Sequence, residues 1–166
     1  TLDVVHPAEL LKNQTGQQML ATFKSATNGE IFQRVVKPMN SQALASLRYD
    51  DWEYTRRLRV EEAGQGNIGY VHLRAMSAEN YQEWVRHYYP VFNRQGLIID
   101  VRNNRGGNID SWILEKLLRR AWFYWQPRVG KPSWNMQYAF RGHMVVICNE
   151  PTSSDGEAFA EGFRRL

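Results

Sequence analysis

Cysteine is almost missing from this chain: Cys148 stands alone, so an intramolecular disulfide and any cysteine-built metal site are excluded. Long apolar runs are missing too, and no stretch approaches the roughly 18 residues that a membrane-crossing helix needs. The N-terminal Thr1-Leu2-Asp3-Val4 has no charged n-region and no apolar h-region, so no signal peptide is expected in this chain, and the compartment stays open. No sign of charge dominates: 21 basic against 17 acidic side chains leave +4. The basic residues come as scattered doublets (Arg56-Arg57, Arg119-Arg120, Arg164-Arg165) rather than a stripe, so nucleic acid is not an expected partner. Repeats and low-complexity segments are absent, and no His/Cys/Asp/Glu group has metal-ligand spacing, so neither a metal nor another cofactor is expected. What remains, 43% hydrophobic and 23% charged over 166 residues, is the composition of a globular domain, or of one domain with a piece of another.

Along the chain, Pro7 to Leu11 reads as a short helix with proline in its first turn, and Gly16 as its stop. Residues 19–23 and 31–36 read as strands flanking the turn dipeptide Asn28-Gly29. Residues 41–62 read as a helix whose apolar side is Leu44, Leu47, Trp52 and Leu58. A glycine-punctuated stretch (Gly64, Gly66, Gly69) leads into a strand at 67–73, then a helix at 78–87. Residues 97–101 form a nearly continuous apolar run, the pattern of a strand covered on both faces. A loop at 103–108 follows, and then a helix from Ile109 to about Ala121, supported by Glu115 four residues before Arg119. Residues 144–148 read as a second buried strand and 149–155 as a polar loop. A closing helix from Gly156 would present Ala158, Phe159, Gly162, Phe163 and Leu166 on one face. The layout is βαβα, which implies an α/β fold with a parallel sheet. Both loops then lie at one carboxyl edge if the two strands are neighbours.

That edge is where the chemistry is sought. A serine between a buried strand and a helix start sits where backbone N–H groups point outward and the helix dipole favours negative charge. Its hydroxyl could attack a carbonyl while the amide of the next residue meets the developing oxyanion. Gly106-Gly107 in the other loop lets the backbone approach a ligand and aim a second N–H inward. Competing readings are helix capping by Ser153, Ser154 or Asp155, and an ordinary turn at the two glycines. The pattern is neither a Gly-x-Ser-x-Gly elbow, because Thr152 and Gly156 flank Ser154, nor a phosphate-binding P-loop. Spacing does not select a base among His6, His72, His87 and His143. Aromatic residues crowd one stretch (Trp122, Phe123, Tyr124, Trp125, Trp134, Tyr138), suited to core, to a subunit contact or to the wall of an apolar substrate pocket.

Gly69-Tyr70-Val71-His72, Gly96-Leu97-Ile98-Ile99-Asp100-Val101-Arg102 with Gly106-Gly107, and Asn149-Glu150 with Ser154-Asp155-Gly156 resemble the tricorn branch of the C-terminal-processing serine peptidases. The resemblance runs ungapped from Gly96 to about Leu166. Upstream, Leu47-Arg48-Tyr49-x-x-Trp52 and the piece between Pro7 and Pro38 resemble that branch's linker and the closing half of its PDZ domain. It implies two parts: residues 1–40 as the end of a PDZ-like domain, a β-hairpin piece, and 41–166 as a nucleophile-bearing core. The fold implied for that core is the crotonase-like one shared with the Clp proteases. Ser154 would be the nucleophile and the N–H groups of Gly107 and Asp155 the oxyanion donors, with Gly106 and Trp125 against the substrate. The substrates implied are peptides or unfolded proteins, and the assembly a homo-oligomer. In this branch the base histidine precedes the PDZ domain and a glutamate follows the nucleophile by several dozen residues. The chain is therefore expected to be a fragment, unable to hydrolyse peptides alone. The branch's acidic specificity residue is matched here by Trp125, which implies apolar rather than basic P1 side chains. Two alternatives stand beside this reading: a non-catalytic PDZ-type peptide-binding protein, and a crotonase-type acyl-CoA enzyme.

Overall fold

The computed structural model describes residues 5–166; Thr1 to Val4, on which the expectation of no signal peptide rests, lie outside the described residues. The chain divides into two compact units, one ending at Trp52 and the other beginning at Glu53.

The first unit holds helix α1 (Pro7–Leu10) and an antiparallel hairpin of β1 (Met19–Lys24) and β2 (Ile31–Val36), with Met19 opposite Val36 and Lys24 opposite Ile31. Gly29 takes φ +71° in the connecting turn, a conformation that favours glycine, and the Ser25 N–H donates to the Glu30 carbonyl at 2.8 Å to close it. Helix α2 (Ser41–Ala63) starts where Asn40 Oδ1 accepts the Ala43 N–H at 2.8 Å, an N-cap one residue before the expected start. Its expected apolar side does not close: no residue of α2 is buried, and Leu44, Leu47 and Leu58 are exposed. Arg59 falls between Leu44 and Trp52 on that side and breaks it with charge.

The second unit is built on a three-stranded parallel sheet, ordered β3 (Ile68–His72), β4 (Gly96–Asp100), β7 (His143–Ile147). Helix α3 (Ala78–Tyr88) links β3 to β4. Helix α4 (Asp110–Leu118) and a short antiparallel pair, β5 (Tyr124–Trp125) with β6 (Ser133–Trp134), lie between β4 and β7. Helix α5 (Asp155–Arg165) follows the serine loop. Val71, Leu97, Ile99 and Val101 meet Trp84, Tyr88, Ile113 and Phe159 in one core.

Three expectations need correction. Helix α4 stops at Leu118, not near Ala121, because Arg119 turns extended (ψ 130°) and the aromatic stretch after it is drawn into pairing, with the Asn135 N–H donating to the Phe123 carbonyl at 2.9 Å. The Glu115–Arg119 helical pair is lost with it. Strand β7 is not buried on both faces. It borders β4 alone among the described strands, and Val145 is 56% exposed. On α5, Phe159 is fully buried and Phe163 packs on the core, but Ala158 and Leu166 are exposed.

Candidate active site

Strands β4 and β7 are direct neighbours in unshifted register, with Gly96 beside His143 and Asp100 beside Ile147. Their following loops therefore leave one edge of the sheet at the same height. Two asparagines tie them together there: the Asn103 N–H donates to Asn149 Oδ1 (2.8 Å) and Asn149 Nδ2 to Asn103 Oδ1 (3.0 Å). Buried Thr152 pins the serine loop onto β4, its hydroxyl donating to the Val101 carbonyl (2.9 Å) and accepting the Asn149 N–H (3.1 Å). The Ser153 N–H donates to the Asn104 carbonyl at 2.9 Å, the next rung of the same attachment.

The diglycine bend is held from the β3 side. The Met76 N–H donates to the Gly106 carbonyl (2.9 Å) and the Asn108 N–H to the Met76 carbonyl (2.8 Å), so Gly107 runs flush against Met76, where a Cβ would collide with the Met76 carbonyl. The peptide joining Gly106 to Gly107 is planar and trans. With its C=O turned to Met76, its N–H, that of Gly107, faces the other way. Gly106, at φ +95°, turns its bare Cα to the serine: a Cβ there would lie 2.6 Å from Ser154 Cβ, 2.9 Å from Ser154 Oγ and 3.0 Å from the Asp155 nitrogen. Gly106, Ser154 and the Asp155 amide are therefore in contact.

Ser154 is exposed, at φ 56°, ψ −127°, immediately before α5. Non-glycine residues avoid this region, and holding one there costs on the order of 1–3 kcal/mol. The side chain makes no capping hydrogen bond to α5, so the capping reading of Ser154 is set aside. The Gly156 N–H turns back to the Ser153 carbonyl (3.1 Å) and the Ala158 N–H to the Ser154 carbonyl (3.0 Å). The N–H groups of Asp155 and Gly107 have no acceptor among the described residues. One exposed hydroxyl thus stands at the positive end of a helix beside the open Asp155 N–H, with the open Gly107 N–H one residue beyond the Gly106 that touches it.

The Asp155 carboxylate points elsewhere. Its Oδ2 accepts the N–H groups of Ile109 (2.9 Å) and Asp110 (3.0 Å), capping α4 and locking α5 to it. Burial raises the Asp155 pKa above the usual aspartate value, and these two donors only partly offset it. Beneath the loops, Asp100 is fully buried, accepting Tyr70 Oη (2.7 Å), Arg102 Nη2 (2.5 Å) and Arg102 Nε (2.9 Å). Burial works against its ionised form, but the Arg102 and Tyr70 donors outweigh it and hold the carboxyl below the ordinary range. The Tyr70 hydroxyl is raised by burial and by that same carboxylate.

No histidine is hydrogen-bonded to Ser154 among the described residues. His72 is buried, with Nδ1 2.7 Å from the Asp100 carbonyl oxygen, and burial lowers its pKa. His87 lies beside Arg57 and 3.9 Å from Glu53, His143 is exposed within β7, and His6 Nδ1 accepts the Ala8 N–H. Trp125 is 62% exposed on β5, its ring edge-on to Phe123 at 5.0 Å. No group of three or more metal-ligating side chains is found among the described residues, and none of their helices is long and apolar enough to cross a membrane.

The sequence reading brought forward Ser154, Asp155, Gly106 and Gly107, which the fold gathers, but missed Asn104 and Thr152, whose side chains brace the two loops. A buried asparagine inside a turn looks like any turn residue. Only Gly156, where a Cβ would sit 2.9 Å from Asn104 Oδ1, hints at a tight contact.

The pattern of Peptidase family S41 matches residues 67–166. The chain is 35% identical over 163 residues to tricorn protease homolog 1 of Streptomyces coelicolor, which spans 98% of this chain and 15% of that protein. It is 37% identical over 120 residues to the tricorn protease of Thermoplasma acidophilum, 72% of this chain and 11% of that protein. The crystal structure of the tricorn protease superposes with a TM-score of 0.80 at 30% identity, over 95% of this chain and 15% of that one. The protein therefore belongs to peptidase family S41. Within that family its sequence and its α/β fold are tricorn-like, and it spans only a small part of the length of these relatives.

Proposed function

We propose that the chain carries the nucleophile and oxyanion hole of a serine peptidase. Ser154 Oγ, giving its proton to a base, attacks a peptide carbonyl. The C–N bond breaks, the amine leaves carrying that proton, and water then hydrolyses the acyl-enzyme to the acid and free Ser154. The N–H groups of Gly107 and Asp155 receive the oxyanion, and Gly106 admits the substrate backbone beside the serine. The observation that carries this reading is the strained backbone of Ser154 against the bare Cα of Gly106, with the neighbouring Asp155 and Gly107 amides open. Strain of that kind persists only where the surroundings over-determine it. Preformed backbone donors cost no reorganisation during the reaction, and loss of one such donor typically lowers the rate by about 10²–10³-fold.

In this reading residues 41–166 are a crotonase-like core and 1–40 the end of a PDZ-like domain. The general base in this reading is a histidine outside these 166 residues, as the tricorn pattern implies. The substrates are peptides or unfolded proteins, handled by a homo-oligomer. Trp125 stands at the specificity position and favours apolar P1 side chains. The test is fluorophosphonate labelling of the full-length protein, with Ser154→Ala as the control. Labelling that Ser154→Ala abolishes supports the nucleophile, and labelling that survives it refutes the assignment.

A further inference from the structure

We infer that Asn104 is the positioning residue of the oxyanion hole: its buried side-chain amide couples the diglycine bend to the end of β3 and packs under the first turn of α5, while its main-chain carbonyl holds the serine loop, and so it sets the gap between the two donors. The inference rests on the peptidase reading and adds a residue to it.

Asn104 is fully buried, and each of its polar atoms has a partner, two of them local and two on remote segments. Nδ2 donates to the Leu73 carbonyl just beyond β3 (2.8 Å), and Oδ1 accepts the Gly106 N–H (2.8 Å). The main-chain carbonyl accepts the Ser153 N–H (2.9 Å), and the main-chain N–H donates to the Val101 carbonyl (3.2 Å). The side chain also lies against the first turn of α5, where Gly156 leaves room for it.

The bond to Gly106 fixes the direction of that residue's N–H. The Met76–Gly106 bond fixes the direction of its C=O. Together they define the rotation of the bend, and so where the Gly107 N–H points. The second donor, on Asp155, is registered against the same residue through Ser153 and Gly156. Both donors therefore take their positions from Asn104, which touches no substrate. Aspartate is the informative replacement, because it has the same shape. Ionised, it sets a charged oxygen against the Leu73 carbonyl; protonated, it restores a donor there.

The test uses the full-length protein with a peptide substrate, comparing the wild type with Asn104→Ala and Asn104→Asp. Misplacement of a reacting or stabilising group by about 1 Å can cost about 10²-fold. Asn104→Ala is therefore expected to lower kcat by about 10²-fold while KM stays within about twofold, since substrate contacts remain. Asn104→Asp, measured as its kcat relative to the wild type at each pH, is expected to recover as pH falls and the carboxyl takes up a proton. If Asn104→Ala does not fold by near-ultraviolet circular dichroism, the Asn104→Asp pH profile decides alone. A kcat within about threefold of wild type in Asn104→Ala, a loss confined to KM, or a relative kcat of Asn104→Asp independent of pH overturns the inference and leaves the peptidase reading intact. A wild-type protein that neither labels at Ser154 nor cleaves peptides overturns both. As a readout apart from activity, amide exchange at Gly106 is expected to accelerate at least tenfold in Asn104→Ala, and unchanged exchange refutes the coupling.

Discussion

Replacing Gly106 by alanine puts the closeness of the two loops to a direct test. The added methyl carbon would fall 2.6 Å from Ser154 Cβ, where carbon atoms ordinarily rest about 3.5–4.0 Å apart, so the loops must separate by about 1 Å. Overpacking of this size costs about 1–3 kcal/mol. The backbone adds a similar cost, because alanine must hold φ +95°. Ser154 is exposed and can yield, which places the sum at about 2–4 kcal/mol. At about 2–4 °C per kcal/mol for a chain of this length, the melting temperature should fall by roughly 4–16 °C. Reactivity should suffer more, since a 1 Å displacement of the nucleophile from its donors predicts about 10²-fold slower labelling of Ser154 by a fluorophosphonate in the full-length protein. Gly162→Ala is the matched control. Its methyl would meet Leu114 Cδ1 at 2.8 Å, the movable tip of a side chain, and the gain in helix propensity of about 1 kcal/mol offsets the repacking. A Gly106→Ala protein that melts and labels like the wild type would refute the arrangement described for the two loops.

Thr152→Val removes the buried hydroxyl that joins the serine loop to Val101 and Asn149, leaving the Asn149 N–H unpaired and the Val101 carbonyl with only the Asn104 N–H; a loss of about 1–3 kcal/mol is expected, read from the urea midpoint. Asp100→Asn leaves Arg102 without its anion, and because that guanidinium is 32% exposed water absorbs part of the cost, giving about 2–3 kcal/mol at pH 7. The Asp100 pKa is lowered by folding, so its contribution is present above the usual carboxylate range and lost as pH falls through the folded value. The decline of wild-type stability below about pH 4 should therefore be shallower in Asp100→Asn, as followed by melting from pH 6 downward. His72 acts in the same direction at higher pH. Its lowered pKa means that the unfolded chain takes up a proton the folded one refuses, so stability should fall as pH drops below about 6.5, and His72→Asn should flatten that slope. A peptide-library profile of the full-length protein should show apolar residues at P1, and dominance of Arg or Lys would reject the role given to Trp125.

Much of the second unit was legible because local and global signals coincide. The Leu97–Ile98–Ile99 run lies on the central strand β4, where Leu97 and Ile99 are buried in the core and Ile98, on the other face, is half-buried. Ser154 stood out because it separates an apolar run from a helix start. The same kind of run misled at β7, since periodicity does not distinguish a central strand from a border strand, and Val145 proved exposed. Asn104 and the carboxylate of Asp155 were opaque for another reason. Their partners, Leu73 and Ile109, lie 31 and 46 residues away, and only the folded chain brings them together. Strands β5 and β6, at two residues each, are too short to print a period.

The unshifted pairing of β4 with β7 acts as a ruler for the whole edge. Deleting one residue from 144–147 would draw the serine back by about 3.3 Å or shift the register of the preceding part of the strand, turning the side chains on the shifted side to the opposite face. No rotamer change could recover the lost span. The tolerance of this fold to insertion and deletion should therefore end abruptly within those few residues, while the tip between β5 and β6, which sets no such measure, should accept changes in length.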